Sequence, residues 1–471
     1  MSNTRKVAYN TIVQIISRVL TTAISLVALG YLTRYLDVAG YGQYDLVFAY
    51  LALFGVVVDF GFFLLQVREI TKTPEREGYI LGNVLGLKLV LSVVVFGIGY
   101  VVANFVYHDP LIIMGILVGS LSQAAIAWTQ VPISLFQAKL QMDKVAILTV
   151  LSRAAYLGGV IWGVHAGWNI VGLVVSVTVI NLVVFFVQML LARPLVKIAP
   201  QWDFKYWWIF VREAFPLGVA IVLATIYFSI DRVMLSVMKT TYEVGLYGTP
   251  YRVIGVILTF PTIFMSSVFP IMTRALGESR EQALSVFRKA FDFSALAAFP
   301  VAFGVMMVAT PLMVVIAGAK FAPSGPALQW LVWATMLSFF GAVFNYTMIA
   351  AGHQRSLTIP YLAATVFNVV ANLIFIPTYS YMGASVVTVA TELLVVTWVG
   401  VITFRTLNLA PAWSVTGKAA LAGTIMAGVI WLVGSTNLLL NVGIGAVVYG
   451  GLILLLRAVS PDIIKELRRA S

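Results

Sequence analysis

No cysteine occurs in the 471 residues, which removes disulfides, thiol nucleophiles and thiolate metal sites together. Histidine is nearly as scarce. His108, His165 and His353 lie far apart and form no ligand spacing, so neither a metal site nor another cofactor is expected. Charged residues make up only 10% of the chain, against about 25% in a soluble domain. Long polar stretches are missing too, which leaves no room for a soluble catalytic or regulatory domain. What fills the chain is apolar: 61% hydrophobic residues and a mean hydropathy of +0.98, the composition of an integral membrane protein. The run that follows Arg5-Lys6 is too long for a signal-peptide core and has no small-residue cleavage site, so it reads as a span.

Windows of about 20 apolar residues predict an all-α polytopic protein with about fourteen transmembrane helices. The first six lie near residues 7–33, 43–66, 79–105, 111–136, 145–165 and 169–192. The next six lie near 211–238, 245–272, 290–317, 326–351, 357–376 and 383–404, and the last two near 418–434 and 437–457. With the N-terminus inside, 22 of the 30 Lys and Arg fall on inner segments and three, Arg34, Lys239 and Lys320, on outer ones. This asymmetry predicts an even number of spans with both termini in the cytoplasm, and it makes the net charge of +12 a matter of topology rather than of nucleic-acid binding. The stretch 193–210, with Trp202, Tyr206, Trp207 and Trp208 among basic residues, belongs at the headgroup level. The tail Pro461 to Arg469 reads as a second basic interfacial segment, suited to anionic lipid.

The chain repeats itself. Tyr41-Gly42-Gln43-Tyr44 after the first span matches Val244-Gly245-Leu246-Tyr247 after the seventh, with Gly42 and Gly245 203 residues apart at candidate gate or turn positions. Ala138-Lys139-Leu140-Gln141 matches Ala351-Gly352-His353-Gln354 at an offset of 213, and Val171-Gly172 matches Met382-Gly383 at 211. An offset of six spans inserts both halves in the same direction, as in carriers built from parallel repeats. The expected division is an N-terminal lobe 1–193, an interfacial linker 194–210, a C-terminal lobe 211–405, and two extra helices with a basic tail over 406–471.

Five cations, Arg18, Lys88, Arg153, Arg232 and Arg252, fall inside spans, where each costs about 2.5–3.5 kcal/mol on the insertion scale. Two readings compete for them. Each can pair with an embedded acid (Asp59, Asp231, Asp292 or Glu392, with Asp45 near an outer end) and fix helix packing. Alternatively several line a water-filled cavity and bind a phosphorylated cargo, for which forked guanidinium donors are suited. Asp59, Asp231, Asp292 and Glu392 are also candidates for binding a coupling proton or sodium ion. Pro132, Pro261, Pro300 and Pro360 sit where they can bend spans.

The motifs Leu36 to Tyr44, Asp59-Phe60-Gly61 with Arg68, Ser229 to Ser236 with Val244 to Tyr247, Gly318-Ala319-Lys320-Phe321 and Gly383-Ala384 give the chain a family likeness. Over roughly residues 5 to 405 it resembles the oligosaccharide and polysaccharide flippases, the Wzx-like branch of the multidrug/oligosaccharidyl-lipid/polysaccharide exporter superfamily. The resemblance implies two six-helix lobes in a V-shaped alternating-access carrier, and a polyprenyl-pyrophosphate-linked oligosaccharide as cargo. It also implies a monomeric plasma-membrane protein working beside glycan polymerases or transferases. Related peptidoglycan-lipid flippases use cations on the first and eighth helices, which singles out Arg18 and Arg252. The alternative is a cation-coupled antiporter of small organic molecules, of the multidrug and toxin extrusion type. Such exporters use acidic cavities, whereas the first span here offers Arg18 and no carboxylate before Asp37. A membrane glycosyltransferase would need a catalytic external loop that the chain lacks, and a scaffold has no use for so many embedded charges.

Overall fold

The computed structural model describes residues 3–435 and 437–458. The basic tail predicted over Pro461 to Arg469 lies outside the described residues. Among the described residues fourteen α-helices follow one another: α1 (Asn3–Asp59), α2 (Phe62–Lys72), α3 (Glu77–Val106), α4 (Pro110–Ala138), α5 (Met142–His165), α6 (Ile170–Ala192) and α7 (Phe204–Met238). They continue as α8 (Thr241–Ile257), α9 (Thr259–Glu278), α10 (Arg280–Ala317), α11 (Gly325–Ala350), α12 (Thr358–Leu407), α13 (Trp413–Val433) and α14 (Leu438–Leu455).

Two of these are longer than any single passage. A straight helix of 57 residues would be about 85 Å long, nearly three times the hydrocarbon thickness. Instead α1 turns back at Asp37, whose φ of 66° and ψ of 177° lie outside the helical region. Its contacts show the reversal. Ser17 and Tyr35 bond to the carbonyls of Ala146 and Trp168, in step with α5. Beyond Asp37 the order inverts: Gln43 meets Asp109, Tyr50 meets Gly99 and Asp59 meets Lys88, antiparallel to α3. In α12 the turn falls at Ser380 (φ 51°), which brings Gly383 back onto the carbonyl of Phe375 and Asn368 beside Thr391.

Twelve described segments are long and apolar enough to cross a membrane. The two that reverse, Ile16–Lys72 and Gln354–Leu407, are each long enough for two passages, so the described residues accommodate about the fourteen predicted. One predicted span, 245–272, is divided at Leu258 into α8 and α9. The short connections are ended by local caps. The side chains of Asp109, Asn169, Asp203, Ser279 and Asn437 accept from the free N–H groups that open α4, α6, α7, α10 and α14.

The chain forms two compact units, Met1–Gly245 and Leu246–Ser471. The first is centred on Phe62, Val84, Val131, Leu135, Phe136 and Phe210. Within it, α7 packs on α1, so this helix groups with the residues before it rather than after. The second is centred on an aromatic stack of Phe287, Phe291, Phe340 and Phe344 from α10 and α11. The last two helices belong to it: Tyr449 of α14 donates to the carbonyl of Leu296, and α13 lies along α10.

Candidate functional site

In the first unit the embedded cations separate into two kinds. Lys88 of α3 is wholly buried, and its ammonium donates to Asp59 Oδ1 at 2.6 Å and to the carbonyl of Ala127 at 3.1 Å. Asp59 closes α1 just before the positive-φ residues Phe60 and Gly61, and its side chain keeps about 31% of its surface exposed. Arg232 of α7 reaches the fully buried Asp45 of α1 at 3.3 Å. These two cations are therefore in ion pairs with helix neighbours, the arrangement that removes an uncompensated charge from an apolar interior.

Arg18 and Arg153 are of the other kind. Ser17 is turned onto the carbonyl of Ala146, which fixes the rotation of α1 against α5. Arg18, the next residue and about 100° further around the helix, is exposed, and Arg153 on α5 is exposed as well. Among the described residues neither guanidinium makes an ion pair. Arg252 of α8 is exposed and Asp231 of α7 is buried.

In the second unit the embedded acid Glu392 stands among neutral polar groups. Ser338 of α11 donates to Glu392 of α12 at 2.6 Å. On the same pair of helices Asn345 donates to the Tyr361 hydroxyl, Asn372 to Asn368 and Asn368 to Thr391. Tyr247 shares a 2.9 Å hydrogen bond with Thr388. Asp292 of α10 is half-buried, one turn beyond Arg288.

Gly42 and Gly245 lie against each other's helices. A Cβ on Gly42 would collide with the carbonyl oxygen of Thr241 and stand 2.8 Å from the nitrogen of Gly245. One on Gly245 would collide with the carbonyl of Val38. The two motifs that reveal the repeat in sequence thus meet in space.

One further constellation is built on α3. Gly78, Gly82 and Gly86 form a stripe at intervals of four on α3, and the segment after α6 lies along it. Gln201 donates its N–H to the carbonyl of Gly82, and Asn83 holds the side chain of Gln201 and the N–H of Asp203. Cβ atoms at Gly82 and Gly86 would collide with the carbonyls of Ala199 and Gln201. The available signal was the spacing of small residues on one face, which permits close backbone approach. Asp203 ends the segment. The Tyr79 hydroxyl first, and then the N–H of Tyr206, hold its carboxyl below the ordinary range.

A family model described as polysaccharide biosynthesis protein matches residues 7–276. The chain belongs to that family. It is similar to the probable low-salt glycan biosynthesis flippase Agl15 of Haloferax volcanii, with 24% identity over 457 residues covering 91% of this chain and 92% of that one. Among solved structures it resembles the lipid II flippase MurJ in an inward closed conformation, with a TM-score of 0.80 and 16% identity over 97% of this chain and all of the other. It also resembles an inward-facing multidrug resistance MATE family transporter of the MOP superfamily, with a TM-score of 0.66 and 15% identity over 84% and 99% of the two chains. At these identities the structural likenesses show the fold. The family member is thus a multi-pass membrane protein with a transporter fold.

Proposed function

We propose that the chain carries a lipid-pyrophosphate-linked oligosaccharide from the cytoplasmic to the outer leaflet, for glycan or polysaccharide assembly. The observation that carries this reading is membership of the polysaccharide biosynthesis family, joined to a likeness to a named glycan flippase along nine-tenths of the chain. The embedded charges support it at the level of chemistry. Arg18 and Arg153 keep exposed guanidinium groups within passages that are otherwise apolar. A doubly charged pyrophosphate matches forked donors, whereas an organic cation would be repelled by them.

On this reading Arg18, Arg153 and Arg252 engage the cargo headgroup. Lys88 and Arg232 instead hold the scaffold through Asp59 and Asp45. Spans one to six and seven to twelve act as lobes, 1–193 and 211–405, joined by the linker 194–210, and Gly42 and Gly245 form the contact between their matching turns. Asp231, Asp292 and Glu392 are the groups through which a proton or sodium ion would act. The protein sits in the plasma membrane with both termini in the cytoplasm, as a monomer without catalytic activity of its own, and hands its cargo to a polymerase or transferase.

The test is reconstitution into vesicles with labelled lipid-linked oligosaccharide, reading the share that becomes accessible to an impermeant glycan-modifying enzyme on the far leaflet. Translocation above that of protein-free vesicles is the expected result. Absence of translocation together with uptake of an organic cation would establish the antiporter reading instead.

A further inference from the structure

We infer that the end of α6 and the segment following it form a seat for one anionic phospholipid, its phosphate on Arg193 and Lys197 and an acyl chain along Phe186, Met189 and Leu190. These residues, with Ile198, line a groove of about 320 Å³. Its walls are apolar along the helix and basic at the end. Phe186 and Leu190 are exposed over 59% and 63% of their surface, so the groove opens outward from the first unit. From Phe186 to Arg193 is seven residues, about 10 Å along a helix, which runs from acyl depth into the headgroup layer. The neighbouring Trp202, Phe204 and Trp208 are exposed, as aromatic side chains are where tails meet headgroups.

The charges at the basic end are available. Arg193 and Lys197 are exposed and make no ion pair among the described residues. The acid at the nearby start of α3 is engaged elsewhere, since Glu77 is bonded by Lys139. The groove also has a firm floor. The backbone of Lys197 and Ala199 rests on Gly78 and Gly82, so the two cations are presented from a fixed segment. Two cations beyond an apolar furrow complement one phosphate and its chain. A zwitterionic lipid would bring a quaternary amine against the same charges, so a net anionic headgroup is favoured.

The experiment uses the full chain in phosphatidylcholine vesicles with a trace of phosphatidylglycerol carrying a photoactivatable group on its acyl chain, and maps the labelled peptide by mass spectrometry. Labelling within residues 186–199 is expected, removed by excess unlabelled phosphatidylglycerol and untouched by phosphatidylcholine. Arg193→Ala with Lys197→Ala should raise the half-saturating phosphatidylglycerol fraction about thirtyfold. Leu190→Trp, at an exposed position that spares the fold, should block labelling without altering charge. Labelling that falls elsewhere, yields equally to phosphatidylcholine, keeps its half-saturating fraction in the double alanine variant, or survives in Leu190→Trp overturns the inference. So does competition by a polyprenyl pyrophosphate where phosphatidylglycerol fails, because the groove would then serve the cargo. Each result is read as lipid occupancy rather than transport, so it stands apart from the flippase assay.

Discussion

Gly42 and Gly245 contact each other's helices reciprocally: Gly42 meets the carbonyl of Thr241, and Gly245 meets the carbonyl of Val38. Val38 and Thr241 are themselves 203 residues apart, the same offset as the glycines. Each helix therefore offers a carbonyl and, four residues on, a glycine that accepts the other's carbonyl. This is a local twofold relation written into one chain. Gly42→Ala and Gly245→Ala should each lower the melting temperature of the purified protein. The obstructing atoms are backbone, which cannot swing aside, so the loss should reach or exceed the roughly 1–3 kcal/mol typical of overpacking. Gly255→Ala, where an added Cβ meets nothing, is the control and should be neutral or mildly stabilising.

The Lys88–Asp59 pair is asymmetric, since the ammonium is fully buried and the carboxylate is partly exposed. Asp59→Asn strands a buried cation and should destabilise by about 3–5 kcal/mol, while Lys88→Met leaves a carboxylate that water can reach and should cost less. The double variant should lie closer to wild type than the sum of the two. Thermal unfolding of all four proteins in one detergent checks the ordering, and additive losses would show that the pair is not coupled.

Arg18, Arg153 and Arg252 should govern translocation, and for the exposed Arg18 and Arg153 the effect on folding should be small. Replacing any of them by Ala removes a charge-assisted bond to phosphate of about 1.5–3 kcal/mol, equivalent to a tenfold to hundredfold loss of transport. Lysine at the same position should restore part of it, because the charge returns without the forked geometry. Unchanged transport by correctly folded Arg18→Ala and Arg252→Ala proteins would remove these residues from the cargo site.

Asp203 predicts a pH dependence. Its carboxyl titrates below the ordinary value of 3.8, so it binds its proton more weakly folded than unfolded. The stabilisation is thus complete above about pH 4 and is lost as pH falls through the lower, folded value. The melting temperatures of wild type and Asp203→Asn should differ by a constant amount from pH 8 to about pH 4 and converge in stronger acid. A gap that widens with acidity would contradict the assignment.

Much of this architecture is legible in the sequence because lipid imposes a simple rule: each passage needs about 20 apolar residues. That rule locates the fourteen predicted passages, and the internal repeat locates the paired G-x-Y turns. Neither says where a helix breaks inside an apolar run. The interruption at Leu258 falls inside the single predicted span 245–272, whereas the turns at Asp37 and Ser380 fall in the gaps predicted between spans. The embedded charges were visible as a set, but their pairings were not. The sequence offers Lys88 five acids, and the choice of Asp59 depends on the rotation and depth of two helices rather than on spacing. The glycine stripe on α3 is poorly legible because its partner is a loop backbone, which has no apolar signature.

The Lys88–Asp59 bond also bears on how the chain is made. Its two residues stand on consecutive passages, 29 positions apart, and so leave the ribosome within moments of each other. The cation therefore need not enter lipid alone: a carboxylate already in place on the preceding helix can accompany it as the two helices partition together. A circular permutant that separates residues 59 and 88 onto opposite ends of the polypeptide would have to insert Lys88 without its neighbour. Poor membrane integration of that permutant, relieved by Lys88→Met, is what biosynthetic order demands of this pair.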